Sequence, residues 1–335
     1  MSSQPAQISP AQPARPSPAQ PAQPAPVLAE VTRSGFTEGR HRGALVLLNA
    51  DGSVLRAVGD VTSPVFPRSS NKPMQAAAVL RAGLELSGER LALAAASHAG
   101  QDFHRELVAR MLAEHGLTEA DLHCPPDLPQ HPATMEAVLA AGEGRTRIAM
   151  NCSGKHAAML AACRERGWPT ATYTDPGHPL QVLVRETIEA ATGEKVAHTG
   201  VDGCGAPLMA FSLTGLARAF RGYVLAEPGS PERRVADAMR AHPEYVAGTE
   251  RDDTWLMREV PGALSKAGAE AVHAVALEDG RALAFKIEDG GARARGPVLA
   301  AALAVLGVDS PVLARLAEAP VHGGGGRVGE VRSVW

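Results

Sequence analysis

Two hairpin signals, one near each end of the chain, constrain its fold more than anything between them. Between 42 and 59, the apolar runs around Leu45-Val46-Leu47-Leu48 and Val54-Leu55 flank Asn49-Ala50-Asp51-Gly52. Turn residues of this kind between apolar runs predict two antiparallel strands. The pattern returns at 271–277 and 282–287, separated by Glu278-Asp279-Gly280-Arg281. The intervening sequence is alanine-rich and has helical spacing at 103–115, 132–141, 154–166, 178–191, 205–222 and 231–241, with another helix expected at 297–306. Early and late strands that join in one sheet around a helical insert predict an α+β fold, an antiparallel sheet packed against a largely helical region. The sheet is expected from about 40–60 and 270–290, and the helical part from about 100–240. Parallel βαβ repeats and a glycine-rich nucleotide loop are absent from the sequence.

Composition narrows the function classes. Lys and Arg total 33 against 36 Asp and Glu, so no basic field attracts nucleic acid or an anionic membrane. Aromatic residues make up 4%, too few for stacking platforms. Residues 1–27 form a Pro/Ala/Gln/Ser tract with nothing to pack, expected to be a disordered tail ahead of a folded region at 28–335. The tract lacks the basic start and apolar core of a secretory signal, and the alanine-rich run at 298–306 is too short to span a bilayer. A cytoplasmic location is therefore expected, in which Cys124, Cys152, Cys163 and Cys204 are core thiols, ligands or reactive groups rather than disulfides.

Chemistry concentrates in a few polar segments. Arg68-Ser69-Ser70-Asn71-Lys72-Pro73 opens a predicted helix over 69–86, with Pro73 tolerated only in its first turn. On a helix the i and i+3 positions share a face, which brings the Lys72 amine within hydrogen-bond reach of the Ser69 hydroxyl. A lysine of lowered pKa can take the proton of such a serine. A capped helix with a solvated lysine accounts for the same spacing, so the motif needs company. Ser97-His98 lies between an apolar run and Gly100, at an element end. Cys152-Ser153-Gly154-Lys155-His156 leads into a helix whose N-terminus, with Lys155, favours a thiolate, either as metal ligand or as nucleophile. Asp202-Gly203-Cys204-Gly205 allows close backbone approach, and Cys152, Cys204 and one of Asp202, His156 or Lys155 can form a site of zinc type. Lys266-Ala267-Gly268, just ahead of the late strand, offers a cation and room for a ligand to lie against it.

Taken together, Arg68-Ser-Ser-Asn-Lys-Pro-Met-Gln-Ala76, Ala96-Ser-His-Ala-Gly-Gln-Asp-Phe-His104, Asn151-Cys-Ser-Gly-Lys-His-Ala-Ala-Met-Leu160, Asp202-Gly-Cys-Gly-Ala-Pro207, Lys266-Ala-Gly-Ala-Glu270 and Phe285-Lys-Ile-Glu-Asp-Gly290 resemble the zinc-associated bacterial L-asparaginase family of the Rhizobium type. The resemblance runs from about Gly43 to Gly329. It implies a core shared with serine β-lactamases and serine-dependent glutaminases. It also implies Ser69 as nucleophile, Lys72 as its paired lysine, and Ser97 with Lys266 as proton relay. Cys152, Lys155 and Cys204 match the residues that hold zinc, Asp202 and His156 lie near them, and a homodimer acting on L-asparagine is expected. The neighbouring readings are a glutaminase or other serine-lysine amidohydrolase, a zinc hydrolase with Ser69 as bystander, and a non-catalytic amino-acid-binding protein.

Overall fold

A computed structural model of the chain describes residues 24–335. Residues 1–23 of the expected tail lie outside the described residues. Ten strands occur among the described residues: β1 (Val27–Arg33), β2 (Phe36–Leu48), β3 (Val54–Val58), β4 (His198–Val201), β5 (Pro207–Ala210), β6 (Leu264–Gly268), β7 (Val272–Ala276), β8 (Ala282–Ile287), β9 (Pro320–Gly323) and β10 (Gly326–Ser333). All but β4 and β5 join one antiparallel sheet in the order β6-β7-β8-β2-β1-β10-β9, with β3 also paired to β2. The fold is α+β, an antiparallel sheet packed against helices.

The long strand β2 is the hinge of this sheet. Its first half pairs with β1 and its second half with β3 and β8. At the changeover stands Gly43, where an added Cβ would lie 2.2 Å from Lys286 O. Only glycine allows that approach. The outer strands β1 and β10, which pair from Ala29↔Ser333 to Arg33↔Gly329, were not foreseen; the expected tail ends at Val27, the first residue of β1.

The sheet is covered on both faces, and the period of two decides which residues go where. Val46, Leu48, Ala274, Ala276, Ala282 and Ala284 face the larger helical body. The small alanines let the helix Leu213–Leu225 lie close on β7 and β8. Leu45, Leu47, Val275, Leu283 and Phe285 point the other way, under the helices Arg295–Val305 and Val312–Ala317. The helix expected over 205–222 is divided: Pro207–Ala210 is strand β5, and the helix starts after Ser212, whose hydroxyl caps Gly215 N at 2.9 Å. No helix of the described residues is long and apolar enough to cross a membrane.

Candidate active site

The sheet edge and one helix start meet at Ser69. The 3-10 turn Arg68–Asn71 runs directly into the helix Lys72–Arg81, with Pro73 in the first turn as its chemistry requires. Arg68 has φ of +51°, a left-handed conformation that a residue with a side chain keeps only where its surroundings impose it. Its guanidinium donates to Asp202 Oδ1 at 2.9 Å and lies 3.7 Å from Glu270. On the other side, a Cβ at Gly268 would come 2.7 Å from Pro67 O and 3.3 Å from Ser69 N. Glycine therefore lets β6 press against the turn, and Ser70 Oγ joins the two by donating to Lys266 O at 3.1 Å.

Ser69 opens onto a cavity of about 200 Å³ whose wall includes Ser97, Asn151, Arg251, Asp253, Lys266 and Arg295. Three segments remote in sequence thus bring Ser69, Ser97 and Lys266 to one space. Lys72 stands behind that wall. Its Nζ donates to Ala96 O at 2.5 Å, Ser97 Oγ at 2.9 Å and Cys152 Sγ at 3.0 Å. The expected hydrogen bond to Ser69 is not made, because an ammonium has three donors and tertiary packing supplies three other acceptors. Ser97 Oγ is the atom through which Lys72 meets the cavity.

Lys266 lies within β6 rather than ahead of a strand, and an acidic network that the sequence did not reveal stands beneath it. Its Nζ donates to Ala267 O at 2.8 Å and lies 3.8 Å from Asp253 Oδ2. Asp253, in the first turn of the helix Asp252–Glu259, accepts from Ser265 Oγ at 2.7 Å and from Ala267 N at 3.0 Å, with His273 Nε2 3.1 Å away. Burial alone would raise the Asp253 carboxyl, but Lys266, His273 and the Ala267 N–H hold it well below the usual carboxylate range. Burial pushes Lys266 down to about 8 even though Asp253 pulls it upward. The available signal was Arg251-Asp252-Asp253, three consecutive charges ahead of apolar Trp255-Leu256-Met257. Carboxylates favour helix N-termini in any case, so the triplet by itself points to no site.

The thiol segments meet behind Lys72. Cys152 is the N-cap of the helix Ser153–Arg166, and the Sγ atoms of Cys152 and Cys204 and a carboxylate oxygen of Asp202 all lie within 4.8 Å of one another. Lys155 Nζ donates to Cys204 Sγ at 3.1 Å. The hydrogen bond between the thiols and the charge of Lys155 hold Cys204 far below the usual thiol range, while the same bond and burial push Cys152 up. Burial opposes a charge on Lys155, but Cys204, Cys152 and Asp202 outweigh it and raise that amine. His156 is next to the cluster yet held elsewhere: Nδ1 lies 2.6 Å from Tyr173 Oη, Nε2 has no partner among the described residues, and burial lowers the ring to about 4. His98 is a brace, fully buried, accepting from Gly100 N and reaching Ser153 Oγ at 2.8 Å.

A family profile described as L-asparaginase II matches residues 29–333. No curated protein matches the sequence. Among solved structures, a β-lactamase from Mycobacterium bovis is 17% identical, over 79% of this chain and 94% of that one, with a TM-score of 0.44. Mglu in its Tris and glutamate form is 16% identical, over 87% of this chain and 63% of that one, at 0.36. EstCE1, a hydrolase with promiscuous acyltransferase activity, is 12% identical, over 73% and 88%, at 0.39.

Proposed function

We propose, from the premise that this chain belongs to the L-asparaginase II family and is thereby an amidohydrolase, that it converts L-asparagine to L-aspartate and ammonia through an acyl-enzyme on Ser69. The observation that carries this reading is the convergence of Ser69, Ser97 and Lys266 on one small cavity, with Lys72 held against Ser97. At about 200 Å³ the cavity is below the ~300–1,000 Å³ of sites for drug-sized ligands, which suits a single amino acid.

The steps follow from the positions. In the reactive form Lys72 gives up the proton it points at Ser97, and the lone pair exposed there takes the Ser69 proton with the Ser97 hydroxyl as relay between them. Ser69 Oγ bonds to the side-chain amide carbon, and the developing oxyanion is met by the Ser69 N–H, a first-turn donor without a partner in its own helix. The C–N bond breaks as charged Lys266 hands a proton to the departing nitrogen. Water then attacks the aspartyl ester and gives its proton to Lys266, left neutral by the first half, and as the ester C–O bond breaks Lys72 returns the Ser69 proton through Ser97. One methylene in a fitted cavity is worth ~1–3 kcal/mol, so asparagine is expected about 10- to 200-fold ahead of glutamine in kcat/KM.

Zinc belongs to the same reading. The donor set fits: two buried sulfurs, one of them strongly acidified, and a carboxylate lie within ligand range of each other. Cys152, Cys204 and Lys155 would hold the ion, the Lys155 amine giving up its proton as the ion's charge replaces it, with Asp202 beside them. Bound there, zinc would supply positive charge that keeps both sulfurs as thiolates and fixes the wall behind Lys72. Ammonia release from L-asparagine tests the whole. Ser69→Ala is expected to abolish turnover while zinc content, measured by elemental analysis, stays at the wild-type level. Full activity in that variant rules out the serine mechanism.

A further inference from the structure

Arg251 presents to this cavity a cation that forms an ion pair with no carboxylate among the described residues. It is partly buried, lines the same wall as Ser69 and Lys266, and donates from Nη2 to Gln130 Oε1 at 2.8 Å. None of the ion pairs among the described residues includes it. The contrast with its neighbour is direct. Arg295 also lines the cavity, but its Nη2 and Nε both donate to Asp252 Oδ2, at 2.8 and 3.1 Å, so its charge is already met. A guanidinium carries five N–H donors in a fixed fork, and only one of Arg251's has a partner among the described residues. A charged group withdrawn from water without a counter-ion is unfavourable unless a ligand supplies one.

We infer that Arg251 binds the free α-carboxylate of the substrate and makes this site specific for amino acids over amides that lack that group. The inference rests on the amidohydrolase reading given above. A planar fork meets a carboxylate through two parallel hydrogen bonds, which fixes orientation as well as adding affinity. With the carboxylate anchored at Arg251, the side chain of a short amino acid has Ser69 and Lys266 as the reactive groups left within the cavity. Gln130 is the positioning residue, since it holds the guanidinium by its one observed bond.

The experiment compares L-asparagine with L-aspartic acid diamide, which keeps the reacting carboxamide but replaces the α-carboxylate by a neutral amide. Hydrogen bonds to charged groups contribute enough to set a preference of about 10- to 100-fold in kcat/KM for L-asparagine in the wild type. Arg251→Gln is expected to erase that preference by raising KM for L-asparagine about 10- to 100-fold more than for the diamide, and Arg251→Lys to restore part of it. Gln130→Ala moves the preference in the same direction by less. A preference that survives in Arg251→Gln, or an equal loss on both amides, overturns the inference. Calorimetric titration with L-aspartate separates the two readings. If the wild type releases ammonia from neither amide, the hydrolase reading fails. L-aspartate binding that weakens about 10- to 100-fold in Arg251→Gln then still supports the carboxylate site. Equal affinity in both proteins, or no binding by the wild type, overturns it.

Discussion

The helical wall and the sheet wall of the cavity each bury a lysine to 1% exposure, and they hold it in different ways. Lys72 spends all three donors, on Ala96 O, Ser97 Oγ and Cys152 Sγ. Lys266 spends one, on Ala267 O, and sits 3.8 Å from Asp253. A saturated amine is fixed in place and can exchange a proton only with a group already touching it, here Ser97 Oγ on the cavity side and Cys152 Sγ behind. An amine with donors to spare beside a fixed carboxylate can meet a ligand and hand it a proton. Burial marks both lysines as unusual; their partners divide the work between them.

Three substitutions test that division, in falling order of effect. Lys72→Met removes the proton acceptor and is expected to reduce turnover by about 10⁴-fold, the upper range for general acid–base groups. A loss of only a few fold would put the base on the sheet wall instead. Lys266→Met should reduce turnover by about 10²-fold and also change its pH dependence. With its pKa pushed down to about 8, Lys266 is charged below that pH and neutral above it. Only the charged form delivers a proton to ammonia, so acyl-enzyme formation should fall as pH rises through 8. A stopped-flow profile that keeps this descending limb in Lys266→Met assigns the limb to another group. The mildest change is Asp253→Asn, expected to slow turnover about 10-fold. Because Asp253 raises the Lys266 amine, its loss should carry the limb to lower pH. It also leaves a buried ammonium uncompensated, at about 3–5 kcal/mol of stability in a denaturant titration. A limb that stays at pH 8 would separate the carboxylate from the lysine.

Legibility in the sequence followed the range of the forces involved. The hairpins at β2–β3 and β7–β8 and the first-turn role of Pro73 are local chemistry, and they were readable. Strands β1 and β10 were not: Val27-Leu-Ala-Glu-Val-Thr-Arg33 and Gly326-Arg-Val-Gly-Glu-Val-Arg-Ser333 are half polar and become strands by pairing with each other across the chain. Strand β5 was absorbed into a helix because Pro207-Leu-Met-Ala210 is apolar throughout, although Ser212 marked the true start. At the site, Ser69, Ser97, Lys266 and the two cysteines stand out by residue type and context. What Lys72 touches does not, since i, i+3 spacing says nothing of Ala96 or Cys152 arriving from elsewhere. Arg251 and Asp253 were hidden for a related reason, because a charged helix start needs no cavity to explain it.

The pairing of β8 with β2 has a consequence for synthesis. The sheet wall that carries Lys266 reaches the first strands only through β7 and β8, with β8 on β2, while β10 is added to β1 on the far side. A ribosome must therefore have made Ile287 before that wall can join the early strands, and contacts of such long sequence separation form slowly. The Ser69 turn is made early in translation but has no Gly268 to lean on until most of the chain has followed. A half-made chain accordingly carries Ser69 without its opposite wall, and the proposed site is complete only once the late strands have paired.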